Sequence, residues 1–345
     1  MNSKNSQEQR PDPETILKKI KKESRGKLTV FLGATAGVGK TNTMLKAAQE
    51  LLRENVDVAI GWVETHGRPE TEKMAADLPR IPGKVLKYRD KTLLEMDVDA
   101  ILARRPALVL VDELAHANVP GSRHVRRFQD VEELIAAGLD VYTTVNIQHI
   151  ESLNDVVAQI TGIVVRETVP DYILEQADKV QLIDIPPEDL IKRLKEGKVY
   201  VPGQVEAALK KFFRPGNINA LRELSLRFTA SRVDRALSEY MREHHIDGPW
   251  PASGRVMVCV SSSPFSAQLI RTASRLAAGM QADCLAVHIE APGWAHARDA
   301  ERDRVARNLR LAEELGAKSL SEEGENLPDK MLEIARVNNV TAIVI

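Results

Sequence analysis

Several things are scarce in this sequence. Cysteine occurs twice in 345 residues, and Phe, Trp and Tyr together make up 4%. Cys259 and Cys284 each sit inside an apolar, strand-like run. Two such residues cannot build a disulfide framework, so the expectation is buried, reduced thiols and a cytosolic address. No apolar run approaches the roughly 18–20 residues of a membrane helix. The polar residues 1–13 hold no apolar signal-peptide core. Charge of one sign is missing too: 48 Lys and Arg stand against 49 Asp and Glu, a net charge of −1. That excludes bulk attraction to nucleic acid or to an anionic membrane surface. There is no His-x-His or Cys-x-x-Cys metal spacing and no Gly-x-Ser-x-Gly elbow. What remains is a globular chain, 43% hydrophobic, long enough for two or three domains.

Within it lies Gly33-Ala34-Thr35-Ala36-Gly37-Val38-Gly39-Lys40-Thr41. The apolar run Leu28-Thr29-Val30-Phe31-Leu32 precedes it, and a helical pattern over residues 41–53 follows. Strand, glycine-rich turn and helix form the context of a phosphate-binding loop. Glycines at 33, 37 and 39 let backbone N–H groups curl around phosphate oxygens. The helix N-terminus adds positive potential. Lys40 is placed to reach the β- and γ-phosphates, and the Thr41 hydroxyl to hold Mg2+. Ala34 stands where the common pattern has its first glycine, a mild change if its φ stays negative.

Further buried strands are predicted over residues 56–63, 107–111, 140–145 and 179–184, with helices between them, for example over 130–137. Near-continuous apolar strands separated by helices imply a parallel sheet covered on both faces. Its ligands belong at the carboxyl ends of the strands. The third strand ends in Asp112-Glu113: Asp112 is the Mg2+-side carboxylate and Glu113 a candidate water-activating base. The second ends in Glu64-Thr65-His66-Gly67-Arg68, where Arg68 is a candidate phosphate contact and Glu64 or His66 a contact to a second ligand or to the metal. After the fourth strand, Asn146, with Thr144 behind it, is the candidate γ-phosphate sensor; a helix-capping role competes. Arg123, Arg126 and Arg127 lie in a basic loop with a Pro-Gly turn, read as solvated in preference to an arginine finger.

These blocks, with Pro120-Gly121-Ser122-Arg123-His124, Tyr142-Thr143-Thr144-Val145-Asn146-Ile147-Gln148-His149 and Arg166-Glu167-Thr168-Val169-Pro170-Asp171, resemble the N-terminal cytoplasmic region of KdpD-type sensor histidine kinases. The likeness runs over about residues 27–234. It implies an ATP-binding input module with Mg2+, in a kinase anchored in the inner or plasma membrane. Such a kinase answers potassium limitation and osmotic stress and controls high-affinity potassium uptake. Its partners would be its own histidine-kinase core and a response regulator. Neither nucleic acid nor membrane contact is expected of this segment.

The expected organisation is a disordered polar lead over residues 1–25, a phosphate-loop α/β domain over 26–243, a linker over 244–253, and a second, smaller α/β domain over 254–345. The first domain closes with helices over 187–195, 204–213 and 217–242. The second resembles a universal-stress-protein-like domain. It stops within an apolar strand at Ile345, as expected of a truncated product. Some relatives bind cyclic di-AMP there through Ser-x-Ser and a later Phe-Thr-Ala-x-Tyr. This chain has Ser261-Ser262-Ser263 but Cys284-Leu285-Ala286-Val287-His288. The stacking aromatics are absent, so cyclic di-AMP is not expected. The alternative function is a self-standing P-loop ATPase or small-molecule kinase with Glu113 or Glu64 as base.

Overall fold

The computed structural model describes residues 25–89, 91–199, 212–243, 254–280, 282–292, 294 and 298–345. They fall into two compact units that divide between Ala230 and Ser231. That division lies inside a helix, earlier in the chain than the expected boundary at 243. The expected linker, the lead up to residue 24 and most of the helix over 204–213 lie outside the described residues.

The first unit runs through β1 (Leu28–Gly33), α1 (Lys40–Arg53), β2 (Val58–Trp62), α2 (Pro69–Ala76), β3 (Lys84–Tyr88), β4 (Lys91–Glu95), α3 (Val98–Arg104), β5 (Leu108–Val111), α4 (Arg127–Ala136) and β6 (Asp140–Asn146). It continues through α5 (Asn154–Thr161), α6 (Asp171–Glu175), β7 (Lys179–Ile183), α7 (Pro187–Lys195) and the start of α8 (Pro215–Glu243). Five strands form a parallel sheet in the order β2-β5-β6-β1-β7. β1 and β5 are buried along their whole length, as an apolar run covered on both faces requires. Alternation along β1 sends Val30 and Leu32 into one core with Val109, Val141 and Leu134. Phe31 goes to the other, with Met44, Leu45 and Leu110. Full burial of each such side chain stabilises by about 1.5–3 kcal/mol.

β1 is flanked by β6 and β7, so Gly33 lies level with Asn146 and Ile183. This register brings the glycine loop beside the ends of β6 and β5. The antiparallel hairpin β3–β4 was not anticipated. Its Val85 and Leu94 are exposed, so it lacks the clean in–out alternation by which a strand is read. α4 starts at Arg127 and not at the expected Asp130, because Arg127 is drawn inward by a buried partner described below. Arg25, expected in the polar lead, belongs to the folded unit: it donates to Gln176 O at 2.9 Å and pairs with Asp178 at 3.1 Å.

The second unit holds β8 (Arg255–Cys259), α9 (Ser266–Met280), β9 (Asp283–Glu290), α10 (Asp299–Glu314), β10 (Lys318–Glu323), α11 (Leu327–Val337) and β11 (Ala342–Val344). Its four strands are parallel, in the order β10-β9-β8-β11. Cys259 and Cys284 are free and half-buried, not fully buried as expected. Burial still pushes the Cys259 thiol up to about 11. Among the described residues no helix is long and apolar enough to cross a membrane.

Candidate functional site

The loop between β1 and α1 depends on its glycines. Gly37 and Gly39 have φ of 87° and 105°, which costs an L side chain energy. A Cβ on Gly37 would come within 2.4 Å of the Val199 side chain, and one on Gly33 within 2.6 Å of Val38. Ala34 is not among the positive-φ residues and is buried in the core, so the departure from the common glycine pattern introduces no strain. No side chain caps α1, and its first turn holds no acidic residue. The first turn of the helix therefore supplies no anionic side chain of its own.

Lys40 opens α1 and is 8% exposed. Its Nζ donates to Thr35 O at 3.0 Å and to Asn146 Oδ1. Both acceptors are neutral, and no ion pair to Lys40 occurs among the described residues. Burial lowers its pKa to about 8, against the opposing pull of Asp112. Lys40 is thus a buried cation without a direct counter-charge.

Asp112, one residue beyond β5, is 2% exposed. Its carboxylate accepts from Thr41 Oγ1 at 3.1 and 3.3 Å, from Thr144 Oγ1, and from the Glu113 amide at 3.1 Å. Burial raises its pKa, and the bond from Thr144 opposes that rise. Thr41 and Asp112, far apart in sequence, thus converge as a hydroxyl and a carboxylate facing one another. This is a donor set suited to a hard divalent cation.

Glu113 has a left-handed φ of 59°. Its carboxylate meets His66 Nε2 at 3.3 Å. The bond from His66 holds Glu113 below the usual carboxylate range, against the effect of burial. The same bond raises His66, against its own partial burial. His66 is itself left-handed, φ 50°, and its amide donates to Glu64 at 3.2 Å. Arg68 Nη2 donates to Val199 O at 3.0 Å. Its positive charge is also close enough to help depress Lys40.

The structure therefore joins Gly33, Gly37, Gly39, Lys40, Thr41, Asp112 and Asn146 around one loop, with Glu113 and Arg68 beside it. Two residues at the site were missed. Arg193 of α7 donates to Gly37 O at 3.3 Å; nothing local in its helix marks it. Glu95 anchors the basic loop, and the expectation for that loop needs correcting. Arg127 is fully buried, not solvated. It pairs with Glu95 at 2.5 Å and donates to Asp112 O at 3.3 Å. Glu95 also meets His116 at 3.2 Å and accepts the Val119 amide at 3.0 Å. Burial would raise the Glu95 pKa, but the His116 bond, Arg127 and the amide outweigh it and hold it at about 2. Arg123 lies on the surface, bound to Glu133 and Asp99.

Comparison with known proteins gives three results. Residues 24–233 match the family described as KdpD, osmosensitive K+ channel His kinase sensor domain. The chain is 47% identical over 341 residues to Sensor protein KdpD of Escherichia coli (strain K12), and 43% identical over 341 residues to Sensor protein KdpD of Clostridium acetobutylicum. Those alignments cover 99% and 98% of this chain but 38% of each relative, so the chain spans well under half of their length. Among solved structures, a universal stress protein from Archaeoglobus fulgidus aligns with a TM-score of 0.22 at 18% identity, covering 27% of this chain and 74% of that one.

Proposed function

The chain belongs to the KdpD family of osmosensitive K+ channel His kinase sensor domains, and on that footing we propose that its glycine loop binds Mg-ATP and that the bound nucleotide is a regulatory signal. In this reading the module serves a sensor kinase that answers potassium limitation and osmotic stress. That kinase is anchored in the membrane, carries a histidine-kinase core, and passes phosphate to a response regulator controlling potassium uptake. The loop is a P-loop of Walker A type.

One observation carries the nucleotide reading: Lys40 is buried on two neutral acceptors, with no direct ion pair among the described residues and Asp112 acting on it only at longer range. Burying a cation costs several kcal/mol unless charge and hydrogen bonds offset it. A phosphate chain laid along the loop would supply that charge. The uncapped α1 N-terminus and the left-handed Gly37 and Gly39 suit the same ligand. Thr41 and Asp112 would hold Mg2+, and Asn146 would sense the terminal phosphate through Lys40. When bound, Mg2+ neutralises charge on the phosphates. The protein's part is to fix those groups and keep Lys40 dry.

Calorimetric titration of the chain with Mg-ATP tests the proposal. Saturable binding is expected, lost in Lys40→Met, and that substitution in a full-length kinase should alter signalling. Absence of binding, or equal binding by Lys40→Met, would overturn it.

A second reading, a self-standing ATPase or small-molecule kinase, rests on Glu113 lying next to Asp112. Its carboxylate is engaged by His66, which lowers its basicity and so favours slow turnover. Steady turnover, abolished in Glu113→Gln with binding spared, would favour this second reading over the regulatory one.

A further inference from the structure

A cavity of about 230 Å³ lies between the end of β2 and the hairpin β3–β4. Its walls include Trp62, Glu64, Thr65, Arg80, Ile81 and Leu94. It opens at the carboxyl end of a parallel strand, where ligands of such sheets bind. Lys40, Thr41 and Asp112 do not line it. At roughly 30 Å³ per water it holds about seven waters or one small metabolite.

The lining is built from fixed parts. Trp62 lies against the Arg127 guanidinium, 5.1 Å from its ring centre, and Arg127 is locked by Glu95. The far wall is held by the bond from the Ile81 amide to Ile60 O at 2.9 Å and from the Ile60 amide to Pro79 O at 2.7 Å. Gly83 allows the hairpin to close in, since a Cβ there would come within 2.8 Å of Glu95 O. Trp62, Ile81 and Leu94 add apolar surface to a lining that is polar in larger part.

Two charges sit at separate points on this lining. Arg80 lies beside Ile60 and has no hydrogen bond or ion pair among the described residues. Glu64 lies two residues beyond the end of β2 at Trp62. Among the described residues it binds its neighbour His66 alone, at 3.2 Å (amide) and 3.9 Å (ring). A cation and an anion at separate points of one small lining select a ligand that carries the two complementary groups at separate ends.

We propose that this cavity is a second ligand site, distinct from the glycine loop, for a small elongated molecule with an anionic group facing Arg80 and a cationic or donor group facing Glu64. The ligand would press on Trp62 and adjoin the Glu64–His66–Glu113 chain.

The test uses the full chain with Trp62 as its sole tryptophan (Trp250→Phe, Trp294→Phe), titrated without nucleotide. The probe is 6-aminohexanoate, with hexanoate and hexylamine as single-charge controls. The expected result is a saturable change in Trp62 fluorescence. Affinity should fall at least tenfold in Arg80→Ala, in Glu64→Gln, and with either control compound. Arg80 is exposed, so Arg80→Ala should keep the wild-type unfolding midpoint. No saturable change, an unaltered response in Arg80→Ala, or equal binding of hexanoate would each overturn the proposal. Repeating the titration in Lys40→Met should give the wild-type affinity, so this inference and the nucleotide reading stand or fall separately.

Discussion

Asn146 accepts a hydrogen bond from the ammonium of Lys40 across 106 residues of sequence. The bond ties the last residue of β6 to the first residue of α1. It fixes the ammonium inside the loop, beside the end of β6.

Removing either partner should have unequal effects. Lys40→Met deletes a buried cation that lacks a direct counter-charge, so the unfolding midpoint should hold or rise, while Mg-ATP affinity falls by two orders of magnitude or more. Asn146→Ala removes one hydrogen bond, worth about 1 kcal/mol, and should weaken nucleotide binding by roughly tenfold. Parallel calorimetry and thermal unfolding of the two variants would show the contrast.

Arg127 should be among the most sensitive positions for stability. Arg127→Ala takes the buried guanidinium from Glu95, which keeps His116 and the Val119 amide as partners, a loss of at most about 3–5 kcal/mol. Replacing both, Arg127→Met with Glu95→Gln, removes the buried charge as well and should recover much of that loss. Denaturant midpoints of the single and double variants measure the difference.

Glu95 also sets a pH dependence. Its folded pKa is depressed to about 2, below its ordinary value near 4.5. A depressed carboxylate contributes stability that is complete above the ordinary value and fades as pH falls toward the folded one. That depression corresponds to roughly 3 kcal/mol. Wild type should therefore lose more stability between pH 5 and pH 2 than Glu95→Gln does. Equilibrium unfolding across that range reads the divergence.

Gly37→Ala should damage the loop. Its φ of 87° is strained for alanine, and the new methyl would strike Val199 at 2.4 Å. The expected cost is about 1–3 kcal/mol, with loss of Mg-ATP binding. Ala34→Gly, at a buried position needing no left-handed φ, should leave binding nearly unchanged. The same titration separates the two.

Much of this site was legible before folding. Gly33, Lys40 and Thr41 belong to one short stretch whose chemistry is local. Asp112, Glu113 and Asn146 follow apolar strands, and strand ends of a parallel sheet share one edge. Arg127 was misread for the opposite reason. Its character depends on Glu95, which lies on a hairpin strand too exposed and too weakly alternating to be seen. Arg193 and Val199, which touch Gly37 and Arg68, were equally invisible, since no local pattern links them to the loop.

The sequence by itself determined the parallel α/β character and the position of the glycine loop, and it named the residues proposed to meet phosphate and Mg2+. Those follow from periodicity and from backbone freedom at glycine, which act over a few residues. Tertiary structure alone decided which charges are buried, paired or left without a partner. It buried Lys40 beside neutral acceptors, locked Arg127 onto Glu95, clasped Glu113 to His66, and left Arg80 at a cavity without a partner among the described residues. Burial and pairing depend on distances between segments remote in the chain, and only packing sets those distances.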